Sequence, residues 1–240
     1  MSPRKPAAIY HNRLLAALSP SDLATLKPNL QPLPLEKGKT LESANKKIEN
    51  IYFPDRGMAS VVGSVTGRGR EVEVGIIGLE GMTGLPVIFG NHRSPHQTFV
   101  QIAGEGQRLP AAALRSALTQ SKTLQQLLLK FAQSFMIQTT HTAIANARGT
   151  LEQRLARWIL MSQDRTMGGE VALTHEFLSL MLAVRRPGVT EALQGLSEKG
   201  LIHHSRGTVT VIDRDGLIEQ ANGLYGVPES EYDRLLGKAR

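Results

Sequence analysis

The spacing of apolar residues changes several times along the chain, and each change predicts a different kind of element. Residues 11–30 read as helical, with Ser19-Pro20-Ser21-Asp22 as the start signal: a capping hydroxyl, proline in the first turn and an early acid. From Leu33 to about Leu109 the pattern shifts to short strands and turns. Val61-Val62, Glu71 to Ile77 (EVEVGII) and Thr98 to Ile102 (TFVQI) are strand-like, and Pro54-Asp55-Arg56-Gly57, Thr66-Gly67-Arg68-Gly69 and Gly78 to Gly84 punctuate them. Many short strands at regular intervals predict a small β-barrel or jelly roll. Next comes Ser121 to Arg148, SKTLQQLLLKFAQSFMIQTTHTAIANAR, with no proline or internal glycine. At ~1.5 Å per residue it predicts a helix about 40 Å long, more than one small domain needs.

Within that helix Leu128, Phe131 and Phe135 follow coiled-coil spacing, which Gln138, Thr142 and Ala145 continue with smaller or polar groups. Leu124, Leu127, Leu129, Met136 and Ile137 broaden the apolar face. One face can then cover a domain of the same chain while another meets a partner helix. A single buried helix in a monomer is the alternative. Gly149-Thr150 marks a hinge, and Leu151 to Met161 resumes a helix with Leu155, Trp158 and Ile159 as its core. Met167-Gly168-Gly169 reads as a loop. Beyond Asp213-Arg214-Asp215 a short helical run gives way to a Gly/Pro break, and no function is legible there.

The most informative stretch is Leu173 to Ile202, LTHEFLSLMLAVRRPGVTEALQGLSEKGLI. Phe177, Leu178 and Met181 recur at helical spacing behind Thr174, a capping hydroxyl. Val189, Ala192, Leu193 and Leu196 form a second apolar stripe, with Arg185, Arg186, Thr190, Glu191 and Gln194 on other faces. Pro187 suits the first turn of that second helix, and Lys199-Gly200 suits its end. Two helices, a tight turn and Arg-Arg at the second start make a helix-turn-helix pattern, whose helix N-terminus can face phosphates and whose arginine fork fits guanine O6 and N7. A plain helical hairpin with solvated arginines is the bland alternative. Ile202 to Ile212, IHHSRGTVTVI, adds a hairpin turning at Arg206-Gly207, a wing beside the second helix.

Composition narrows the function classes. The 240 residues allow two small domains, and 41% hydrophobic with 20% charged residues is ordinary for a globular protein. No apolar run approaches the ~20 residues of a membrane span, and MSPRKPAAIY lacks a signal-peptide core, so a cytoplasmic protein is expected. With no cysteine, disulfides, thiol chemistry and a Cys-ligated iron–sulfur cluster are excluded. The formal charge of +7 invites a nucleic-acid reading, but acids and bases nearly balance within residues 149–214. The case rests on local placement at Arg185, Arg186 and Arg206.

The same thirty residues, followed by RGTVTVIDR, resemble the winged helix of the Crp/Fnr bacterial transcription regulators, without a gap. The resemblance implies an α+β protein: a jelly-roll-like sensory β-roll of the cyclic-nucleotide-binding type over 1–120, a dimerisation helix over 121–148, a winged helix-turn-helix DNA-binding domain over 149–215, and a tail over 216–240. It implies a homodimer on palindromic double-stranded DNA, and RNA polymerase as a further partner. Arg186 falls at the family's base-reading arginine, and Glu191 where several members carry a second base contact, often arginine. Thr174, Arg185, Gly188, Thr190 and Arg206 complete the expected DNA-binding set, while Ala183 stands where many members have glycine. The family's phosphate cassette falls within Gly78 to Val100. Nucleotide-binding members grip the ribose with glycine–glutamate, but here Gly84 precedes Leu85. Arg93-Ser94, which could hold a phosphate, sits slightly early and beside Pro95. Cyclic AMP is therefore not expected. Some other apolar or anionic effector, or none, would meet Gly84, Leu85, Arg93, Ser94, Thr139 and Thr140, the last two reached across the dimer in nucleotide-binding relatives.

Enzyme readings find little support. His92 and His96 share a face only on a helix, which Pro95 opposes, and no H-x-H occurs for a cupin-like metal site. His203 and His204 are adjacent and point opposite ways on a strand. No catalytic cluster, metal site or cofactor is expected. The competing reading is a small-molecule-binding β-roll whose winged helix makes protein contacts.

Overall fold

The computed structural model describes residues 10–64, 71–166, 170–205 and 207–237. Two short helices come first, α1 (Arg13–Ala16) and α2 (Pro20–Leu26). Ser19 caps α2, its hydroxyl accepting from the Asp22 N–H, as the Ser-Pro-Ser-Asp run predicts. Five strands follow: β1 (Gln31–Leu35), β2 (Thr40–Glu42), β3 (Asn50–Ser64), β4 (Glu71–Ile77) and β5 (Gln97–Pro110), with the short helix α3 (Leu85–Ile88) between the last two. They make one antiparallel sheet in the order β1-β5-β3-β4, with β2 also on β5. The predicted strands at 61–62, 71–77 and 98–102 all fall within it.

One predicted turn is not a turn. Pro54 to Gly57 lies inside the 15-residue strand β3, where the register against β5 slips between Pro54 and Arg56, again before Met58, and again at Ala59. Gly57 has φ +83°, and a Cβ there would lie 2.6 Å from the Ile102 carbonyl oxygen. The turn-forming residues are thus used as bulges that bend one long strand rather than end it. Thr66 to Gly69 and the loop expected at Met167 to Gly169 lie outside the described residues.

Helices α4 (Ala111–Gln120) and α5 (Lys122–Arg148) follow, the second uninterrupted as its sequence predicts. Its apolar face is set by what β4 lacks. β4 is the last strand of the sheet path, so one side of its backbone has no strand partner among the described residues. Gln138 of α5 fills that role: its Oε1 accepts from the Ile76 N–H at 2.8 Å and its Nε2 donates to the Ile76 carbonyl at 3.2 Å. Gly75 makes the approach possible, since a Cβ there would sit 2.7 Å from Phe135 Cζ. Leu128, Phe131, Gln138 and Ala145, four members of the predicted coiled-coil seam, are therefore buried within their own chain. The face of α5 left open carries Leu129, Met136 and Ile144, which are 40%, 63% and 43% exposed.

After Gly149 come α6 (Leu151–Thr166), β6 (Glu170–Ala172), α7 (His175–Met181), α8 (Arg186–Glu198), β7 (Ile202–Ser205) and β8 (Thr208–Val211). The hairpin pairs Ile202 with Val211 and Ser205 with Thr208, as predicted, and β6 joins it in the order β6-β8-β7. Sequence reading missed β6, whose three residues offer no usable alternation. The short helical run expected in the tail is present, while a second helix past the Gly/Pro break was missed. Helices α9 (Arg214–Gln220) and α10 (Val227–Leu236) fold back, α10 packing along α5, and the Tyr232 hydroxyl donates to the Glu80 carbonyl at 2.8 Å.

Two large cores hold the molecule. One joins α1, α2, α4 and α5 to the sheet. The other centres on α6 to α8 and takes in Met58, Val62, Ile76 and Ile102 of the sheet, so the C-terminal unit is docked on the β-roll. Trp158, predicted as core, is buried there, and its indole N–H donates to Glu73 of β4 at 2.7 Å. Phe177 packs edge-on to Phe99, with ring centroids 6.4 Å apart.

Candidate nucleic-acid interface and effector cavity

The helix pair is assembled from local chemistry. Thr174 caps α7, its hydroxyl accepting from the Phe177 N–H at 3.2 Å. The turn then needs a left-handed residue, supplied by Ala183 at φ +53°, a conformation that costs an alanine ~1–2 kcal/mol. Arg154 of α6 grips the turn by donating to the Leu182 carbonyl at 2.5 Å. Helix α8 opens at Arg186 with Arg185 as its N-cap residue and Pro187 in its first turn.

Val189, Ala192, Leu193 and Leu196 bury one stripe of α8 against the domain core. That stripe leaves Arg185, Arg186, Thr190, Glu191 and Gln194 exposed on the opposite side. The Thr190 hydroxyl donates to the Arg186 carbonyl at 3.2 Å, and Gln194 Nε2 donates to Glu198 Oε1 at 2.9 Å. Gly188 faces inward, where a Cβ would meet Leu151 at 3.3 Å, so its smallness serves packing on α6. Thr174 is exposed near the start of α7. Arg206, expected at the wing tip, lies outside the described residues. His203 and His204 sit on β7 with different exposure, as adjacent strand residues do.

The residues expected to meet an effector also converge. A cavity of about 550 Å³ lies between the sheet and α5, lined by Leu85, Arg93, Ser94, Thr139 and Thr140 together with Val61, Val74, Ile77, Phe135 and Met136. Gly84 is not on its wall, and its N–H is occupied, donating to Glu42 Oε1 at 2.7 Å. Among the lining residues that sequence reading missed, Glu42 is the carboxylate. It comes from β2, far from the Gly84-Leu85 pair in sequence, and burial pushes its carboxyl above the ordinary range. No signal in a three-residue strand could have placed it. Thr139 and Thr140 spend their hydroxyl protons on the Phe135 and Met136 carbonyls, each at 2.9 Å.

A second, smaller cavity of about 240 Å³ opens where α5, α6 and the tail meet. There Arg165, only 7% exposed, pairs with Glu80 at 2.8 Å and donates to the Met161 carbonyl at 2.7 Å. Among the described residues no group of three or more His, Asp or Glu is placed to hold a metal ion, and no helix is long and apolar enough to cross a membrane.

Residues 153–220 match the family model of the Crp-like helix-turn-helix domain. No curated protein matches the chain in sequence. Among solved structures, a Crp/Fnr-family transcriptional regulator from Eubacterium rectale is 17% identical, with TM-score 0.67 over 89% of this chain and 99% of that one. FixK2 from Bradyrhizobium japonicum is 15% identical, with TM-score 0.69 over 80% and 96%. A CRP-family transcriptional regulator from Thermus thermophilus is 18% identical, with TM-score 0.65 over 80% and 97%. Residues 153–220 are a Crp-like helix-turn-helix domain, and the chain as a whole has the fold of the Crp/Fnr transcriptional regulators.

Proposed function

We propose that this protein is a sequence-specific DNA-binding transcription regulator acting as a homodimer on a palindromic site. The observation that carries the reading is the outward polar face of α8, with Arg185, Arg186, Thr190 and Glu191 standing clear of the core behind a Pro187 first turn. A helix N-terminus of this kind can enter a major groove with its donors toward the phosphates. In this reading Arg186 contacts guanine, Glu191 accepts from cytosine N4, and Arg185, Thr174, Thr190 and Arg206 position the backbone.

The partner is a second copy, met through the face of α5 that its own chain leaves open: Leu129, Met136 and Ile144. Two parallel helices so joined would set two copies of α8 one DNA turn apart, roughly 34 Å. An effector other than cyclic AMP would act from the cavity beside α5 by favouring one arrangement of that helix pair.

The test is binding to a duplex selected from random sequence, compared with an unselected one. Arg186→Ala is expected to weaken the selected duplex by about 1–3 kcal/mol and to relax one base position. Equal weakening on every sequence would reduce Arg186 to a phosphate contact and remove the base-reading role.

A further inference from the structure

We propose that the cavity between the sheet and α5 takes an amphipathic monoanion, an apolar body carrying one carboxylate head. This deepens the effector part of the function proposed above, although its chemistry stands on the cavity alone. At about 550 Å³ the cavity falls within the ~300–1,000 Å³ of small-molecule sites. Its walls are mostly apolar: Val61, Val74, Ile77, Leu85, Phe135 and Met136. Such walls favour a body without hydrogen-bonding groups, because a buried hydroxyl or amide left unpaired costs about 1–3 kcal/mol.

A ribose and a purine edge would bring several such groups. The two threonines on α5 have no hydroxyl proton to give them, since both are spent on their own helix, and can only accept. Arg93, the arginine of the wall, lies on the loop that also brings His96 to the cavity. Arg93 is exposed, and its guanidinium has no ion pair or hydrogen bond among the described residues. It is therefore available to a carboxylate through a charge-assisted, two-point contact. Glu42 also lines the wall. Its carboxyl is already tied to the Gly84 N–H, so the anionic head belongs at Arg93 and the body against the apolar walls.

Calorimetry on the full chain with decanoate, decanol and cyclic AMP tests this. Decanoate is expected to bind once per chain and decanol, with the same body and no charge, about tenfold more weakly. Arg93→Ala should bring decanoate down to the decanol level and leave decanol unchanged, while Val74→Phe should abolish both. Arg93 is at the surface, so its variant reports on binding even if Val74→Phe fails to fold. Decanol binding as well as decanoate, Arg93→Ala without effect, no binding of either probe, or cyclic AMP binding more tightly would each overturn the proposal. No DNA is present in this experiment. Loss of DNA reading with decanoate binding intact would sink the regulator alone, and the converse would sink the ligand alone.

Discussion

Glu73 is the residue with the most to lose. It is buried without an ion pair among the described residues, accepting from the Trp158 indole at 2.7 Å and from the Ser60 hydroxyl at 2.6 Å, and burial pushes its carboxyl up to about 7 from 4.5. The raised value fixes the sign of the pH dependence. Between about pH 4.5 and 7 the unfolded chain releases this proton while the folded chain keeps it, so stability falls as pH rises through that window, by about 3 kcal/mol in all. Urea unfolding of wild type and Glu73→Gln from pH 5 to 8 is therefore expected to show the variant gaining on wild type as pH rises. A difference that stays constant with pH would contradict it. Ala183 offers a second residue-scale check, since glycine adopts φ +53° without the alanine penalty. Ala183→Gly is expected to raise the melting temperature by ~1–3 °C, and a fall would show that the turn is not strained at that point. Of these two, only Ala183 was marked by the sequence, through resemblance. Glu73 sits in an alternating strand where an acid reads as solvent-facing, and only the docking of α6 makes it buried.

At the scale of elements, what was legible and what was not follow from the range of the interactions. The second helix of the pair, its proline start and its glycine end are local chemistry, and α8 lies where the sequence puts it. The 27-residue α5 is legible for the same reason, since nothing in it breaks a helix. Which face of α5 turns inward is not local. It is decided by the open edge of β4 and by the gap at Gly75, which turn Leu128, Phe131 and Gln138 inward. Gln138→Leu would keep the size and strand the Ile76 N–H and carbonyl. It is expected to cost about 1–3 kcal/mol by denaturant unfolding, and a neutral outcome would mean that the pair is not needed to finish the edge. In the tail the helical run of α9 was legible, whereas α10 was not, because it is held by contacts made far away in sequence, such as Tyr232 on Glu80.

For the whole molecule, the open face of α5 and the outward face of α8 belong to one account, in which a pair of chains reads a two-fold site. Met136 is 63% exposed on that open face, so a charge placed there should leave the fold of one chain intact and split the pair. Met136→Lys is expected to move the mass measured by light scattering from two chains to one, without lowering the melting temperature, and to lose high-affinity DNA binding. A variant that still sized as two chains would move the interface elsewhere. The most direct measurement of all is selection of bound duplexes from random DNA, followed by the mass of the complex on the selected sequence. The account predicts an inverted repeat whose half-sites lie one helical turn apart, about 34 Å centre to centre, bound by two chains. An asymmetric site held by a single chain, or no enrichment of any sequence, would contradict it.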